Sequence, residues 1–159
     1  MIGCRKLSLM VLLATGLTMV NAAQAISPID PTGEDVTGYK PGKIYVLGDI
    51  SPYGGKIYFV DDSGEHGLEA KLVDETNLLV WSDAVKAASA YGFRWHLPTK
   101  VELKILYEQK DLVGGFADDD YWSSTELDSN SAWIQGFVNS DQDRYNKYSK
   151  LSVRAVRAF

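Results

Sequence analysis

Arg94-Trp95-His96-Leu97-Pro98-Thr99, with Glu102 three residues further on, is the stretch that decides the fold. A proline bars the α region to the residue before it, so Leu97 is extended and 95–97 reads as a strand-like lead-in. Thr99 and Glu102 have the spacing of a capping box, in which the two side chains accept N–H groups orphaned at a helix start. Val101, Ile105 and Leu106 follow at helical spacing. An extended segment that turns directly into a capped helix is the punctuation of a mixed domain, and it needs no chemistry to explain it.

Upstream, Ser82 is placed to cap an earlier helix in which Val85, Ala88 and Ser89 share a face and which Gly92 ends. Strand signals lie at 43–47 and 56–60, the second bracketed by the Gly54-Gly55 and Asp61-Asp62-Ser63-Gly64 turns. After Gly114-Gly115 the composition turns to strands at 121–125, 132–138 and 151–159. In the middle one Trp133 and Gln135 point one way while Ile134 and Gly136 point the other, as a pleat requires. The expected architecture is α+β, with two short helices and a mainly antiparallel twisted sheet, in one domain over 43–159.

Arg5 and Lys6 precede an uncharged apolar run at 7–20, and Ala23-Gln24-Ala25 follows it. Positive charge, apolar core and small residues mark residues 1–25 as a signal peptide cleaved after Ala25; the competing reading is an uncleaved membrane anchor. Residues 26–42, with Pro28, Pro31, Gly33, Gly38 and Pro41, read as a linker or extended lead-in. The single cysteine, Cys4, lies before the cleavage point, so the exported domain is expected to have no disulfide and to rely on a packed core. The chain carries 16 basic and 21 acidic side chains, and loss of Arg5 and Lys6 deepens its net charge of −5. That balance disfavours nucleic acid, anionic lipid and sulfated polysaccharide as bulk electrostatic partners.

The Arg94–Thr99 motif, then Tyr121-Trp122-Ser123-Ser124-Thr125-Glu126, Ala132-Trp133 and Val153-Arg154-Ala155-Val156-Arg157, resemble in that order the Lcl C-terminal domain family. These are globular heads of some bacterial collagen-like adhesins, and the resemblance covers 53–159. It implies a C-type-lectin-like fold, distantly related to formylglycine-generating enzymes, and a role in recognition at the cell surface. Four departures limit what it carries over. No Gly-X-Y stalk is present, and the Glu-Pro-Asn, Gln-Pro-Asp and Trp-Asn-Asp motifs of calcium-dependent lectins are missing. The cysteine pair and the histidine-rich iron site of the related enzymes have no counterpart. The acidic charge also departs from the glycosaminoglycan binding that the adhesin link suggests.

The segment 139–149 has almost no aliphatic residues and mixes Tyr with Asn, Asp and Ser. It is either a solvated hairpin or a binding surface, since such mixtures combine large contact area with adaptable hydrogen bonds. With the loops at 118–120 and 128–131 it supplies the candidate ligand contacts Trp122, Asn130, Asp141, Asp143, Arg144, Tyr145, Asn146 and Tyr148. Trp81, Trp95 and Trp133 are assigned to the core, and Glu126 is expected to meet Arg154 or Arg157. Arg144, Lys147, Lys150, Arg154 and Arg157 form a possible local basic strip. No catalytic residue, metal ligand or cofactor is nominated: His66 and His96 lie in unrelated segments, and Asp118-Asp119-Asp120 lacks calcium-loop spacing. The expected function is a secreted recognition module for a glycan or a surface protein outside the cytoplasm, without catalysis, nucleic acid or a membrane span after cleavage. The alternatives are an envelope structural or assembly protein that binds a protein partner, and a degenerate enzyme.

Overall fold

The computed structural model describes residues 42–159, so the expected signal peptide and nearly all of the expected lead-in lie outside the described residues. In chain order the elements are β1 (Lys56–Val60), β2 (Gly67–Ala70), α1 (Trp81–Ser89), β3 (Trp95–His96), α2 (Lys100–Glu108), α3 (Lys110–Val113), β4 (Asp120–Glu126), β5 (Ser131–Gly136), β6 (Gln142–Asn146) and β7 (Val156–Ala158). They form an α+β domain with two antiparallel sheets, ordered β1-β2-β7-β3 and β4-β5-β6. Sequence reasoning expected one sheet and two helices; the second sheet and the one-turn helix α3 are additions to that picture.

The capping box forms as its spacing predicts. Thr99 accepts from the Glu102 amide at 3.2 Å, and the Glu102 carboxylate accepts from the Thr99 amide at 2.8 Å. The buried face behind it is Leu103 and Leu106, while Val101 is exposed, so the apolar stripe starts two residues later than expected. Helix α1 starts differently from its sequence reading. Its N-cap is Val80 with no side-chain bond, Ser82 lies inside the first turn, and Ala84 and Ala88 form the buried face. A tertiary bond replaces the missing cap: the Trp81 amide donates to the Lys147 carbonyl at 3.0 Å.

The expected strand at 43–47 does not form. Tyr45 alone is buried there, stacked on Phe159 at 4.4 Å, while Ile44, Val46 and Leu47 face solvent. The neighbouring backbone of β1 is already taken by the next loop, where Gly48 donates to the Ile57 carbonyl and Ile57 to the Asp49 carbonyl. Segment 139–149, read as a connector, instead contains β6, paired along its length with β5 from Ser131↔Asn146 to Gln135↔Gln142. β6 has a neighbour on one side only.

One core cluster joins α1 to both sheets through Ala84, Trp95, Leu97, Trp122, Ile134 and Val153. A second packs α2 against them through Tyr58, Leu103, Leu106, Tyr121, Phe137 and Val156. Trp122 is fully buried, and its indole N–H donates to the Leu79 carbonyl at 2.9 Å. That removes it from the candidate ligand contacts. Trp133 departs from its core assignment the other way, being half-exposed with the Lys100 ammonium 3.0 Å from its ring centroid. Among the described residues no helix is long and apolar enough to cross a membrane.

The capping glutamate serves twice. His96 Nδ1 lies 2.8 Å from the Arg94 carbonyl, which can only accept, and Nε2 lies 3.1 Å from Glu102. Both ring nitrogens therefore donate when the ring is protonated, and the bond to Glu102 raises the His96 pKa against the opposing effect of burial. Burial pushes the Glu102 carboxyl up, but the bonds from His96 and Thr99 outweigh it and hold it below its ordinary range. The buried Tyr58 hydroxyl also faces Glu102, which raises the tyrosine's pKa further beyond the effect of burial. The raised histidine contributes stability fully below its ordinary pKa, and this is lost as pH rises through the folded value. The depressed glutamate contributes above its ordinary value, and this is lost as pH falls. The Tm difference between wild type and His96→Gln is therefore expected to peak near about pH 5.5 and to shrink by about pH 8.5. A difference that stays constant across that range would disprove the pairing.

Candidate functional site

The expected basic strip is taken apart by burial. Arg154 and Arg157 are each 1% exposed. Arg154 donates to Asp74 at 2.6 Å and to the carbonyls of Lys71 and Gly115, while Asp74 also accepts from the Tyr121 hydroxyl at 2.5 Å. Burial first, and the Asp74 carboxylate second, push the Tyr121 hydroxyl far above its ordinary pKa. Arg157 donates to Glu69 at 2.7 Å and to the Phe93 carbonyl, with the Tyr53 ring stacked 3.5 Å from its guanidinium carbon. Glu69 also accepts from the Ser51 hydroxyl and from the Gly55 amide. A Cβ at Gly55 would collide with that carboxylate and with Trp95, so only glycine fits there. Neither arginine meets Glu126, whose partner is Lys147.

The remaining candidates divide between the two ends of the β4-β5-β6 sheet and the middle of β6, where consecutive side chains point to opposite faces. At one end Asp141 accepts from the Asn139 side chain at 2.9 Å. Asp120 belongs to the same end; its pKa is raised by burial, then by Asp119 and by Asp143. Among the described residues no group of three or more His, Cys, Asp or Glu is placed to hold a metal ion. Arg144 is exposed on the sheet face, directly opposite Trp133, and half-exposed Tyr145 lies opposite Ala132. Asn130, Asn146 and Tyr148 gather at the other end.

This second end is a groove of about 320 Å³ lined by Val80, Trp81, Ser82, Ser129, Lys147 and Tyr148. Its walls come from three separate segments fastened by main chain. Lys147 is the splice: its carbonyl accepts from the Trp81 amide, and its amide donates to the Asn130 carbonyl at 2.9 Å. Just behind, Leu79 and Leu151 exchange both backbone bonds. Asn146 shapes the turn into the groove, its side chain accepting from the Tyr148 amide at 2.9 Å. Asp128 accepts from the Asn130 amide at 2.7 Å, and that bond leads the causes that lower its pKa. Asn130 and Asn146 are thus the frame of the groove, and Tyr148, 82% exposed, is its contact surface.

The individual candidates did not include Trp81, assigned to the core, Ser82, read as a helix cap, or Ser129 and Lys147, although the last two lie in the candidate segments 128–131 and 139–149. Trp81 is half-buried: its indole N–H donates to the Ser123 carbonyl at 2.8 Å and the Lys147 ammonium sits 4.7 Å from its ring centroid. No local signal separates such a tryptophan from a core one, because its exposed edge is set by residues more than 60 positions away. Two other hollows exist. One, of about 340 Å³, runs beside α3 and borders Asp118, and its Lys110 ammonium is committed to the Phe137 carbonyl. The other, of about 230 Å³, is lined by Tyr53, Lys71, Tyr91, Phe93 and Trp95, with the Lys71 ammonium 4.2 Å from the Tyr91 ring and 4.5 Å from that of Trp95. Comparison with known proteins gave no matching family model and no matching curated protein.

Proposed function

We propose that this is an exported recognition module that binds a glycan in the Trp81–Tyr148 groove, on the C-type-lectin-like scaffold that the Lcl C-terminal resemblance implies. One observation carries the reading. Tyr148 is the most exposed large apolar side chain among the described residues, and it stands over a groove whose walls are fixed by backbone bonds. Rings on a pre-organised frame suit the apolar faces of sugars, and little conformational freedom is lost when a ligand binds there. The hydroxyls of Ser82, Ser129 and Tyr148 add donors and acceptors for a polyol. No catalytic role is proposed for the groove.

The test is to titrate purified residues 26–159 with glycans identified on an array and to repeat this with Tyr148→Ala. Affinity is expected to fall at least about tenfold, as for other exposed aromatic hot spots, with Tm nearly unchanged. A collapse in Tm would assign the ring to the fold, and undiminished binding would move the site elsewhere. A second reading, docking to an envelope protein, is favoured by Ile44, Val46, Leu47 and Ile50, each about half exposed within one loop. Silence across the array with capture of a protein partner that Val46→Ser abolishes would establish it instead.

A further inference from the structure

We infer that the groove selects neutral saccharides and rejects acidic ones, because its one cation is consumed inside the protein. This rests on the glycan reading above. Among the described residues Lys147 is the only basic one lining the groove, and an ammonium has three N–H donors. All three have acceptors: the Glu126 carboxylate at 2.5 Å, the Asp128 carbonyl at 2.7 Å and the Ser129 carbonyl at 3.3 Å. The Trp81 ring lies against the same charge, and the lysine side chain is only 12% exposed. Its stem therefore serves as wall, and its head is neutralised before any ligand arrives.

The surroundings are acidic. Asp128 is held below its ordinary pKa, so it is ionised at neutral pH, and Glu126 is 55% exposed beside it. Asp83, one residue beyond Ser82 in the first turn of α1, is paired with Lys86 rather than with the groove. A uronate or sulfate entering here would approach the nearby Glu126 and Asp128 carboxylates and find no uncommitted cation among the described lining residues. A hydroxyl-rich neutral ring meets two aromatic side chains, two serines and a tyrosine hydroxyl. Selectivity of this kind is built by repelling the wrong ligand as much as by attracting the right one.

Glu126 is the switch for this selectivity. Glu126→Gln keeps the side chain's shape and releases the Lys147 charge, so it should create affinity for acids. The experiment titrates wild type and Glu126→Gln with chito-, cello- and mannopentaose and with pentagalacturonate, following tryptophan fluorescence at about 0.05 M and about 0.5 M salt, where screening differs strongly. Wild type is expected to bind a neutral oligomer with affinity independent of salt and to leave pentagalacturonate unbound. Glu126→Gln is expected to gain at least about fivefold in affinity for pentagalacturonate at low salt, and to lose that gain at high salt. Tighter binding of pentagalacturonate than of any neutral oligomer by wild type, or no gain in the variant, overturns the inference alone. Wild type that binds none of the four overturns the glycan reading, and the inference with it.

Discussion

Arg157→Met is expected to lose about 3–5 kcal/mol of stability, the cost of stranding a buried carboxylate. The methionine keeps most of the stem's volume but lacks the guanidinium that stacks under Tyr53, so part of the loss is that contact. The rest falls on Glu69, which is 0% exposed and loses the only positive charge bonded to it. The Ser51 hydroxyl and Gly55 amide still donate to it, but neutral donors offset only part of the desolvation of a full charge. A domain of this size has about 5–15 kcal/mol in total, so the loss takes a large share. The second change that separates causes is Glu69→Gln in the same background. It should recover stability, because the residual charge is the main penalty, and urea midpoints of the two variants measure this. A single variant that loses under about 1 kcal/mol, or a double variant weaker than the single, would show that the pair is not what the core depends on.

Trp122→Ala is expected to cost about 3–5 kcal/mol, in line with other large aromatics removed from packed cores. Trp122 touches α1, β3 and β5 through the same cluster, so its deletion opens a cavity where helix and both sheets meet. It also leaves the Leu79 carbonyl without its indole donor, next to the backbone pair that holds the groove. Trp122→Phe should cost less, because most of the volume returns. On the proposed glycan reading, folded Trp122→Ala, where any survives at low temperature, should keep the wild-type affinity per folded molecule. Loss of binding at an unchanged urea midpoint would restore Trp122 as a contact residue.

What was legible in the sequence was what local chemistry dictates. The Thr99–Glu102 box, the Pro98 lead-in, β1 and the pleat of β5 depend on residues within a few positions of one another. What was not legible depends on distant partners. Segment 43–47 is apolar enough for a strand, but the β1 edge it would need is occupied by the loop that follows it. β6 has a polar sequence, and its pairing is set by β5. Internal pairing of Arg154 and Arg157 is readable from the sequence but its partners are not: Asp74 and Glu69, 80 and 88 residues away, take the place expected of Glu126. The site follows the same rule. Tyr148 was readable as an exposed aromatic in a polar run, whereas Trp81 becomes a groove wall only because Lys147 reaches its amide from another part of the chain.

The polarity that concealed β6 has a use of its own. A strand with one neighbour has a free edge whose amides and carbonyls lack a strand partner, the template on which a second molecule can add and aggregation can begin. Exposed Asp143 and Arg144 lie in the middle of that five-residue edge. An incoming strand would have to strip water from a carboxylate and a guanidinium before its first backbone bonds formed, and no apolar ladder awaits it beyond them. The edge that borders the groove is thereby kept from zippering onto other copies, and it stays open to solvent even at high local concentration.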